Sequence, residues 1–290
     1  METIHTVAWM KQVACDARGR DLILGLVPTM GALHDGHLSL IREAQRQCSP
    51  VVVSIFVNPK QFGPSEDFQS YPRTLERDRA ALEQLAVDYL FAPSAEEIYP
   101  SGFRTSVIVE GLSEQLEGLS RPAHFRGVST VVLKLFEIVQ PRFAYFGRKD
   151  AQQVRIIRQM ALDLNLPTTV VVCPIVREPD GLALSSRNAY LKDGDRRSAT
   201  ALYRSLEALR LEISRGERDA ARLRMAVRGV IEAEPGLALD YAEIVDAETL
   251  EPVVSLRRTC YALIAARVGG ARLIDNALIE QEGDSVRVTL

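Results

Sequence analysis

Two histidines lie three residues apart in the segment 27–37, which reads VPTMGALHDGH. At this spacing His34 and His37 share one face of a first helical turn, and two imidazoles beside a phosphate can donate hydrogen bonds as negative charge shifts during group transfer. Gly31 and Gly36 permit tight backbone turns and the close approach of a ligand. The segment therefore predicts a phosphate-binding turn, with two hydrogen-bonded structural histidines as the alternative.

Asn58 and Gln61 lie in a second polar segment, FVNPKQF at 56–62. Both amides can donate and accept hydrogen bonds, which suits a small hydroxy acid. A site that hydrogen-bonds a hydroxyl group strongly rejects analogues that lack it. Loop structure around Pro59 explains the two residues equally well.

A third segment, FGRKDAQQ at 146–153, places Lys149 where a helix dipole disfavours a cation. A residue that breaks such a local preference at the end of a strand indicates function. For Lys149 that function would be neutralisation of a triphosphate. Asp150 either holds ribose hydroxyls or caps the following helix.

Two further segments carry polar groups with weaker signals. In REPDGLALSSRN at 177–188, Ser185, Ser186 and Arg187 are typical of a phosphate clamp or of an exposed polar turn. In RPAHFRGV at 121–128, the residues Gly127 and Val128 are candidates to wall a small-substrate pocket. The basic residues of that segment add positive potential there or are simple surface charge.

These segments alternate with elements that must position them. Short apolar runs predict buried strands at 22–27, 51–57, 88–92, 143–146 and 169–173. Helical periodicity lies between them at 37–47, 72–86, 127–139 and 150–164. Alternation of this kind predicts an α/β fold with a parallel sheet and helices on both faces. The first turn then lies at the carboxyl end of a strand and the N-terminus of a helix, where a phosphate binds.

The chain changes character after about residue 190. Charged helices are predicted at 196–215 and 217–233, followed by strands at 239–245, 260–267 and 271–275. Helices followed by strands indicate a separate small α+β domain. We therefore predict a first domain over residues 1–177 and a smaller C-terminal domain over residues 178–290.

Composition narrows the class of protein. The formal net charge of −3, with 47% hydrophobic and 25% charged residues, is typical of a globular protein and gives no sign of a nucleic-acid or membrane-surface partner. No apolar run approaches the ~20 residues that a membrane helix needs, and the N-terminus lacks a secretory pattern. The four cysteines form no metal-binding pattern. We expect a cytoplasmic protein with reduced cysteines.

Taken in order, PTMGALHDGH, FVNPKQF, YPRT, RPAHFRGV, FGRKDAQQ and REPDGLALSSRN resemble the signature of the pantoate–β-alanine ligase (pantothenate synthetase) family. The resemblance is dense from Pro28 to Tyr190. That family is part of the HxGH class I nucleotidyltransferase superfamily. The resemblance implies a Rossmann-like first domain that binds ATP and pantoate, a lid-like second domain, and condensation of (R)-pantoate with β-alanine through a pantoyl adenylate, in vitamin B5 and coenzyme A biosynthesis.

The resemblance also implies residue roles. His37, His34 and Lys149 would be catalytic, with His37 the candidate proton donor. Gln61 would bind both pantoate and β-alanine, and Gln153 and Asn58 would bind pantoate. ATP would be bound by Met30, Gly31, Ala32, Leu33, His34, Asp35, Gly36, His37, Gly147, Arg148, Lys149, Asp150, Val176, Leu184, Ser185, Ser186 and Arg187.

The family further implies Mg²⁺ and a homodimer, and Asp78 is the candidate metal ligand. Four positions depart from the commonest family pattern: Arg148 replaces glutamate, Ala151 an aromatic residue, Ala123 glycine and Leu184 methionine. None of these departures removes a phosphate or pantoate ligand. The competing interpretations are a nucleotide adenylyltransferase that keeps AMP on its product, and a nucleotide-binding protein without activity.

Overall fold

A computed structural model describes residues 1–64, 66–283 and 285–290. The backbone divides into two units, one of residues 1–148 and 152–174 and the other of residues 149–151 and 175–290. The predicted domain boundary after residue 177 stays a prediction.

The first unit is built on a six-stranded parallel sheet in the order β1-β4-β3-β2-β5-β6. Its strands are β1 (Glu2–Ile4), β2 (Gly25–Thr29), β3 (Val51–Ile55), β4 (Tyr89–Phe91), β5 (Phe143–Gly147) and β6 (Thr169–Cys173). The helices along the chain are α1 (Val7–Gly19), α2 (Asp35–Gln47), α3 (Leu75–Gln84), α4 (Ala95–Ile98), α5 (Glu117–Ser120), α6 (His124–Val139) and α7 (Ala151–Asp163). The parallel sheet predicted from the apolar runs is confirmed.

Helices cover both faces of this sheet because its strands are apolar on both sides. In β3, Val52 packs into a cluster that contains residues of α1, α6 and α7. Its neighbours Val51 and Val53 pack into a second cluster that contains residues of α2 and α3. Successive side chains of a strand point to opposite faces, so the two clusters are the two faces of one sheet.

Strands β2 and β5 are neighbours in the sheet. The sheet continues from β2 through β3 and β4 on one side and from β5 to β6 on the other, so the strand order changes direction between β2 and β5. Ligands of open α/β sheets bind outside the carboxyl ends of the strands at such a switch point. The β2–β5 ladder pairs only Gly25 and Leu26 of β2 and stops before Pro28. Proline has no N–H to donate, so these two central strands do not pair with each other toward their carboxyl ends.

The second unit is a four-stranded antiparallel sheet in the order β10-β9-β8-β7 with its own apolar core. Its elements are α8 (Asp193–Ala199), α9 (Ala201–Ser214), α10 (Ala220–Glu232), β7 (Leu237–Asp246), β8 (Cys260–Val268), β9 (Ala271–Glu282) and β10 (Ser285–Thr289). The predicted small α+β unit is confirmed.

Some boundaries differ from prediction. The helix predicted from Pro72 begins at Leu75, and the single helix predicted over 196–215 is two helices that meet at Thr200. The elements β1, α1 and β10 were not predicted. Across residues 1–64, 66–283 and 285–290, no helix has the length and apolarity needed to cross a membrane.

Candidate active site

The turn between β2 and α2 has left-handed backbone at two positions, Gly31 with φ of 81° and Ala32 with φ of 50°. A Cβ atom on Gly31 would lie 3.1 Å from a carboxylate oxygen of Asp78 and 3.1 Å from a methyl group of Ile55. Positive φ is ordinary for glycine and costly for alanine, so the conformation of Ala32 must be held by its surroundings.

Asp78 of α3 holds this conformation. Its Oδ2 accepts a hydrogen bond from the Ala32 N–H at 2.9 Å, and its Oδ1 accepts one from the Leu33 N–H at 2.8 Å. Thr74 donates its hydroxyl to Oδ2 at 3.1 Å. The side chain is 1% exposed, and a buried carboxylate is tolerated only when it is hydrogen-bonded in this way. Metal binding by Asp78 stays a prediction, one that this hydrogen bonding does not favour.

The two histidines cap α2 reciprocally. Nδ1 of His34 accepts a hydrogen bond from the Gly36 N–H at 3.2 Å, and Nδ1 of His37 accepts one from the His34 N–H at 3.3 Å. Because a backbone N–H can only donate, Nδ1 of each neutral ring is unprotonated and the ring proton lies on Nε2. The ring centroids are 4.1 Å apart. The pair therefore carries two neighbouring Nε2–H donors at a helix N-terminus, together with Asp35 in the first turn.

The segment after β3 forms a 3₁₀ turn at Pro59–Gln61 that Asn58 caps. The Asn58 side chain is 1% exposed and donates to Gln61 Oε1 at 3.0 Å and to the Gly127 carbonyl at 3.1 Å. Its Oδ1 accepts from the Tyr99 hydroxyl at 2.8 Å and from the Lys60 N–H at 3.2 Å. These four bonds use the whole capacity of the amide. Direct binding of pantoate by Asn58 stays a prediction that the geometry does not favour.

Gln61 connects this turn to the histidine-bearing turn, because its Nε2 donates to Met30 Sδ at 3.0 Å. Helix α6 packs against it at Gly127, where a Cβ atom would lie 2.2 Å from the Lys60 carbonyl oxygen. Only glycine permits this approach. That Gly127 and Val128 wall a small-substrate pocket stays a prediction.

A buried histidine supports Gln61 from the other side. His124 Nδ1 lies 2.9 Å from the Gln61 carbonyl oxygen, and its Nε2 lies 3.1 Å from an Arg121 guanidinium nitrogen. Burial, with Arg121 adding to the effect, lowers the pKa of His124 to about 4. The ring is therefore neutral at pH 7, with Nδ1–H donating to the carbonyl and Nε2 accepting from Arg121.

Arg121 also forms a two-point ion pair with Glu66, at 3.0 and 2.5 Å. The side chains of Arg121 and Glu66 are 16% and 22% exposed. Burial raises the pKa of Glu66, but Arg121, His124 and a backbone hydrogen bond from Gly63 together lower it by more, so the net shift is downward. Arg121 and His124 thus both contact the Gln61 carbonyl, and whether they also add positive potential for a substrate stays a prediction.

The two glutamines at the start of α7 have different environments. Gln152 is 4% exposed, donates to the Leu112 and Gln115 carbonyls at 2.9 and 2.8 Å, and accepts from the Glu117 N–H at 3.0 Å. Gln153 is half-buried. Gln152 is thus structural, and Gln153 stays the predicted pantoate ligand. Gly147, the last residue of β5, is half-buried, and the adjacent Arg148 is 6% exposed.

The second unit contains the other predicted nucleotide-binding residues. Lys149 and Asp150 lie in a 3₁₀ turn, with Nζ 4.0 Å from the Asp150 carboxylate, and the Lys149 carbonyl accepts a hydrogen bond from Asn276 Nδ2 at 2.9 Å. Val176 and Leu184 pair across a tight hairpin through a 3.0 Å backbone hydrogen bond.

That hairpin is held by Arg177, which donates to both carboxylate oxygens of Asp275 at 2.7 and 3.0 Å. Next along the chain, Ser185 caps the 3₁₀ turn Ser186–Tyr190 by accepting from the Arg187 N–H at 3.3 Å. The structure thus places Leu184–Arg187 where a hairpin ends and a helical turn begins. Arg177, Asp275 and Asn276 were not predicted, because their partners are about a hundred residues distant in sequence.

No group of three or more His, Cys, Asp or Glu side chains suited to a metal ion occurs within the described ranges. These residues do not form a protein cage for Mg²⁺.

A parallel sheet with a switch point and paired Nε2–H donors at a helix N-terminus defines an α/β protein that binds a phosphate-bearing ligand. A family model described as pantoate–β-alanine ligase matches residues 2–278. This chain belongs to that family.

Relatives are similar over nearly the whole chain. The pantothenate synthetase of Heliobacterium modesticaldum is 55% identical over 273 residues, which cover 94% of this chain and 96% of that protein. That of Thermotoga neapolitana is 52% identical over 279 residues, 96% of this chain and 100% of the other.

Solved structures agree in fold. Pantothenate synthetase from Thermus thermophilus is 48% identical with a TM-score of 0.90, covering 95% of this chain and 98% of that one. Pantoate–β-alanine ligase from Francisella tularensis, complexed with β-γ ATP and β-alanine, is 37% identical with a TM-score of 0.77, covering 95% and 97%.

Proposed function

We propose that this chain condenses (R)-pantoate with β-alanine at the expense of ATP, giving pantothenate, AMP and pyrophosphate through a pantoyl adenylate. The observation that carries the proposal is the pair of Nε2–H donors on His34 and His37 at the sheet's switch point, joined to Gln61 through Met30. Family membership over residues 2–278 supports the same reaction.

In the first step the pantoate carboxylate attacks the α-phosphorus of ATP, and pyrophosphate leaves with the electron pair of the broken P–O bond. The carboxylate is ionised at neutral pH, so no general base is needed. Catalysis then consists mostly of positioning and charge stabilisation. His34 and His37 donate Nε2–H to the phosphate oxygens as negative charge develops there.

Gln61 and Gln153 bind the pantoate in this proposal, and Gln61 also contacts β-alanine. In the second step the neutral amine of β-alanine attacks the acyl carbon of the adenylate and AMP leaves. Water must be excluded, because it hydrolyses the mixed anhydride.

Residues of the second unit bind the nucleotide in the same proposal. Lys149 neutralises phosphate charge, Asp150 holds ribose hydroxyls, and Val176 lies against adenine. The residues from Leu184 to Arg187, where the hairpin ends and the 3₁₀ turn begins, bind the triphosphate. These roles rest on the family resemblance and on the local structure of each segment.

Mg²⁺ bound with ATP would be held mainly by phosphate oxygens and water, and it would neutralise part of the triphosphate charge. We also propose a homodimer in the cytoplasm. The four free cysteines are compatible with a reducing compartment, since three of them, Cys48, Cys173 and Cys260, are buried.

The test is an assay of purified protein with ATP, Mg²⁺ and D-pantoate, with and without β-alanine. Steady AMP formation that requires both acids, with pantothenate in equal amount, establishes the reaction. Adenylate that stays on the product would instead indicate a nucleotide adenylyltransferase. ATP binding without turnover would indicate a different carboxylate substrate or an inactive relative.

A further inference from the structure

The orientation of the Asn58 amide is fixed by the backbone. The Lys60 N–H can only donate, so the atom it meets at 3.2 Å is the oxygen of the amide. The Gly127 carbonyl can only accept, so the atom it meets at 3.1 Å is the nitrogen. An amide placed between such partners cannot be flipped without breaking both bonds.

Asn58 in turn fixes the amide of Gln61. Since Asn58 Nδ2 is a donor, the Gln61 atom 3.0 Å from it is the acceptor Oε1. The Gln61 nitrogen then lies on the Met30 side, where one N–H points to Sδ. Gln61 therefore presents N–H groups, and the substrate atom that it recognises must be an acceptor such as a carboxylate or hydroxyl oxygen.

Tyr99 completes this chain of hydrogen bonds. Its hydroxyl donates to Asn58 Oδ1 at 2.8 Å, and burial raises its pKa, so it remains a protonated donor at neutral pH. Its ring is held between Phe56 and Phe103, with centroid distances of 6.1 and 5.0 Å, and Lys60 Nζ lies 5.0 Å from the ring centroid. The hydroxyl is thus fixed in place.

We propose that Tyr99 is a positioning residue for the reaction: it restrains Asn58, whose amide orientation the backbone sets, and so helps to hold the Gln61 amide in place with its N–H toward the acid substrate. The inference rests on the proposed function, because it concerns how Gln61 binds pantoate and β-alanine. Tyr99 itself lies behind Asn58 and does not touch the substrate in this scheme.

The first measurement compares Tyr99→Phe with wild type in the steady-state assay. Without the hydroxyl, Asn58 keeps its amide orientation through Lys60 and Gly127 but loses one of the hydrogen bonds that restrain it, so the Gln61 amide is held less rigidly. We expect the KM for pantoate to rise about three- to tenfold, the effect of one lost hydrogen bond, while the KM for ATP stays unchanged. Tyr89→Phe is the matched control, a half-buried tyrosine of β4 in the same unit, and should leave all constants at wild-type values.

A double-mutant cycle separates positioning from simple stability. If Tyr99 acts through Gln61, Tyr99→Phe has no further effect on kcat/KM for pantoate in a Gln61→Ala background. The same loss in both backgrounds would overturn the proposal, as would a variant with lowered Tm and unchanged KM. Failure of the proposed function is a different result, since the wild-type protein would then show no pantoate-dependent AMP release.

Discussion

At the scale of single residues, the histidines of the α2 cap can serve both structure and the proposed chemistry. The same Nδ1 atoms that accept backbone N–H groups force the proton onto Nε2. Capping and catalysis are therefore not competing explanations for His34 and His37, because the cap sets the tautomer that a phosphate requires.

Replacement of His37 by alanine should slow adenylate formation by roughly 10²–10³, the typical effect of losing one transition-state donor. The measurement is pyrophosphate release in a single turnover with ATP and pantoate. His5→Ala is the control, because His5 is exposed and its Nδ1 lies 2.8 Å from the Ala92 carbonyl oxygen. Unchanged adenylate formation in His37→Ala would remove this residue from the mechanism.

His124 gives a prediction about pH. Its pKa is lowered from 6.5 to about 4 in the folded chain by burial and by Arg121, which outweigh the hydrogen bond to the Gln61 carbonyl and the charges of Glu66 and Glu117. Above pH 6.5 the ring is neutral in both states and its full contribution to stability is present. As pH falls from 6.5 toward 4, only the unfolded chain takes up the proton, so stability is lost.

The measurement is Tm against pH, from about 7.5 to about 4.5, for wild type and His124→Gln. Glutamine removes this titration but keeps a side-chain donor for the Gln61 carbonyl. We expect the wild-type Tm to fall more steeply than that of the variant. Parallel curves would show that His124 does not stay neutral in the folded protein.

At the scale of elements, Asp78 of helix α3 holds the β2–α2 turn in its conformation through two backbone hydrogen bonds. The Asp78→Ala variant leaves two turn N–H groups and the Thr74 hydroxyl without their carboxylate. We expect the free energy of unfolding to fall by about 3 kcal/mol and the KM for ATP to rise. Denaturant unfolding and the steady-state assay test this. Glu76→Ala, an exposed carboxylate in the same helix, is the control, and equal effects of the two changes would contradict the assignment.

Helix α6 packs closely against the Pro59–Gln61 turn at Gly127. In Gly127→Ala the added methyl would meet the Lys60 carbonyl, so the turn must shift. We expect a loss of stability of about 1–3 kcal/mol and a higher KM for pantoate. Gly229→Ala, a helical glycine of α10 with no atom within 4 Å of its Cβ position, should instead add about 1 kcal/mol. Wild-type kinetics in Gly127→Ala would show that the turn does not depend on this contact.

The elements show what the sequence could predict. Apolar runs such as Thr169–Cys173 predicted strands because burial on both faces leaves a continuous apolar pattern. The HxGH spacing predicted the histidine turn because capping is local. Asp78, Tyr99 and Arg121 were not assigned their roles, since the turn residues that they hold are 41 to 60 residues away in sequence. Such contacts leave no local pattern.

At the scale of the whole molecule, each unit has its own apolar core and its own sheet. The first is parallel and buried on both faces, and the second is antiparallel, with polar residues alternating along β10. The sequence predicted this division from the change in pattern after residue 190. It did not predict β1, whose three residues are too few to show a period.

Metal removal tests the proposal that Mg²⁺ acts together with ATP. Since the ranges that the structure describes contain no metal-binding group of three side chains, the ion should depend on ATP for its binding. Excess EDTA is therefore expected to abolish AMP formation while leaving the Tm of the nucleotide-free protein unchanged, with added Mg²⁺ restoring activity. A lower Tm without nucleotide would instead reveal a structural metal, because a ligand that binds only the folded state stabilises it by mass action.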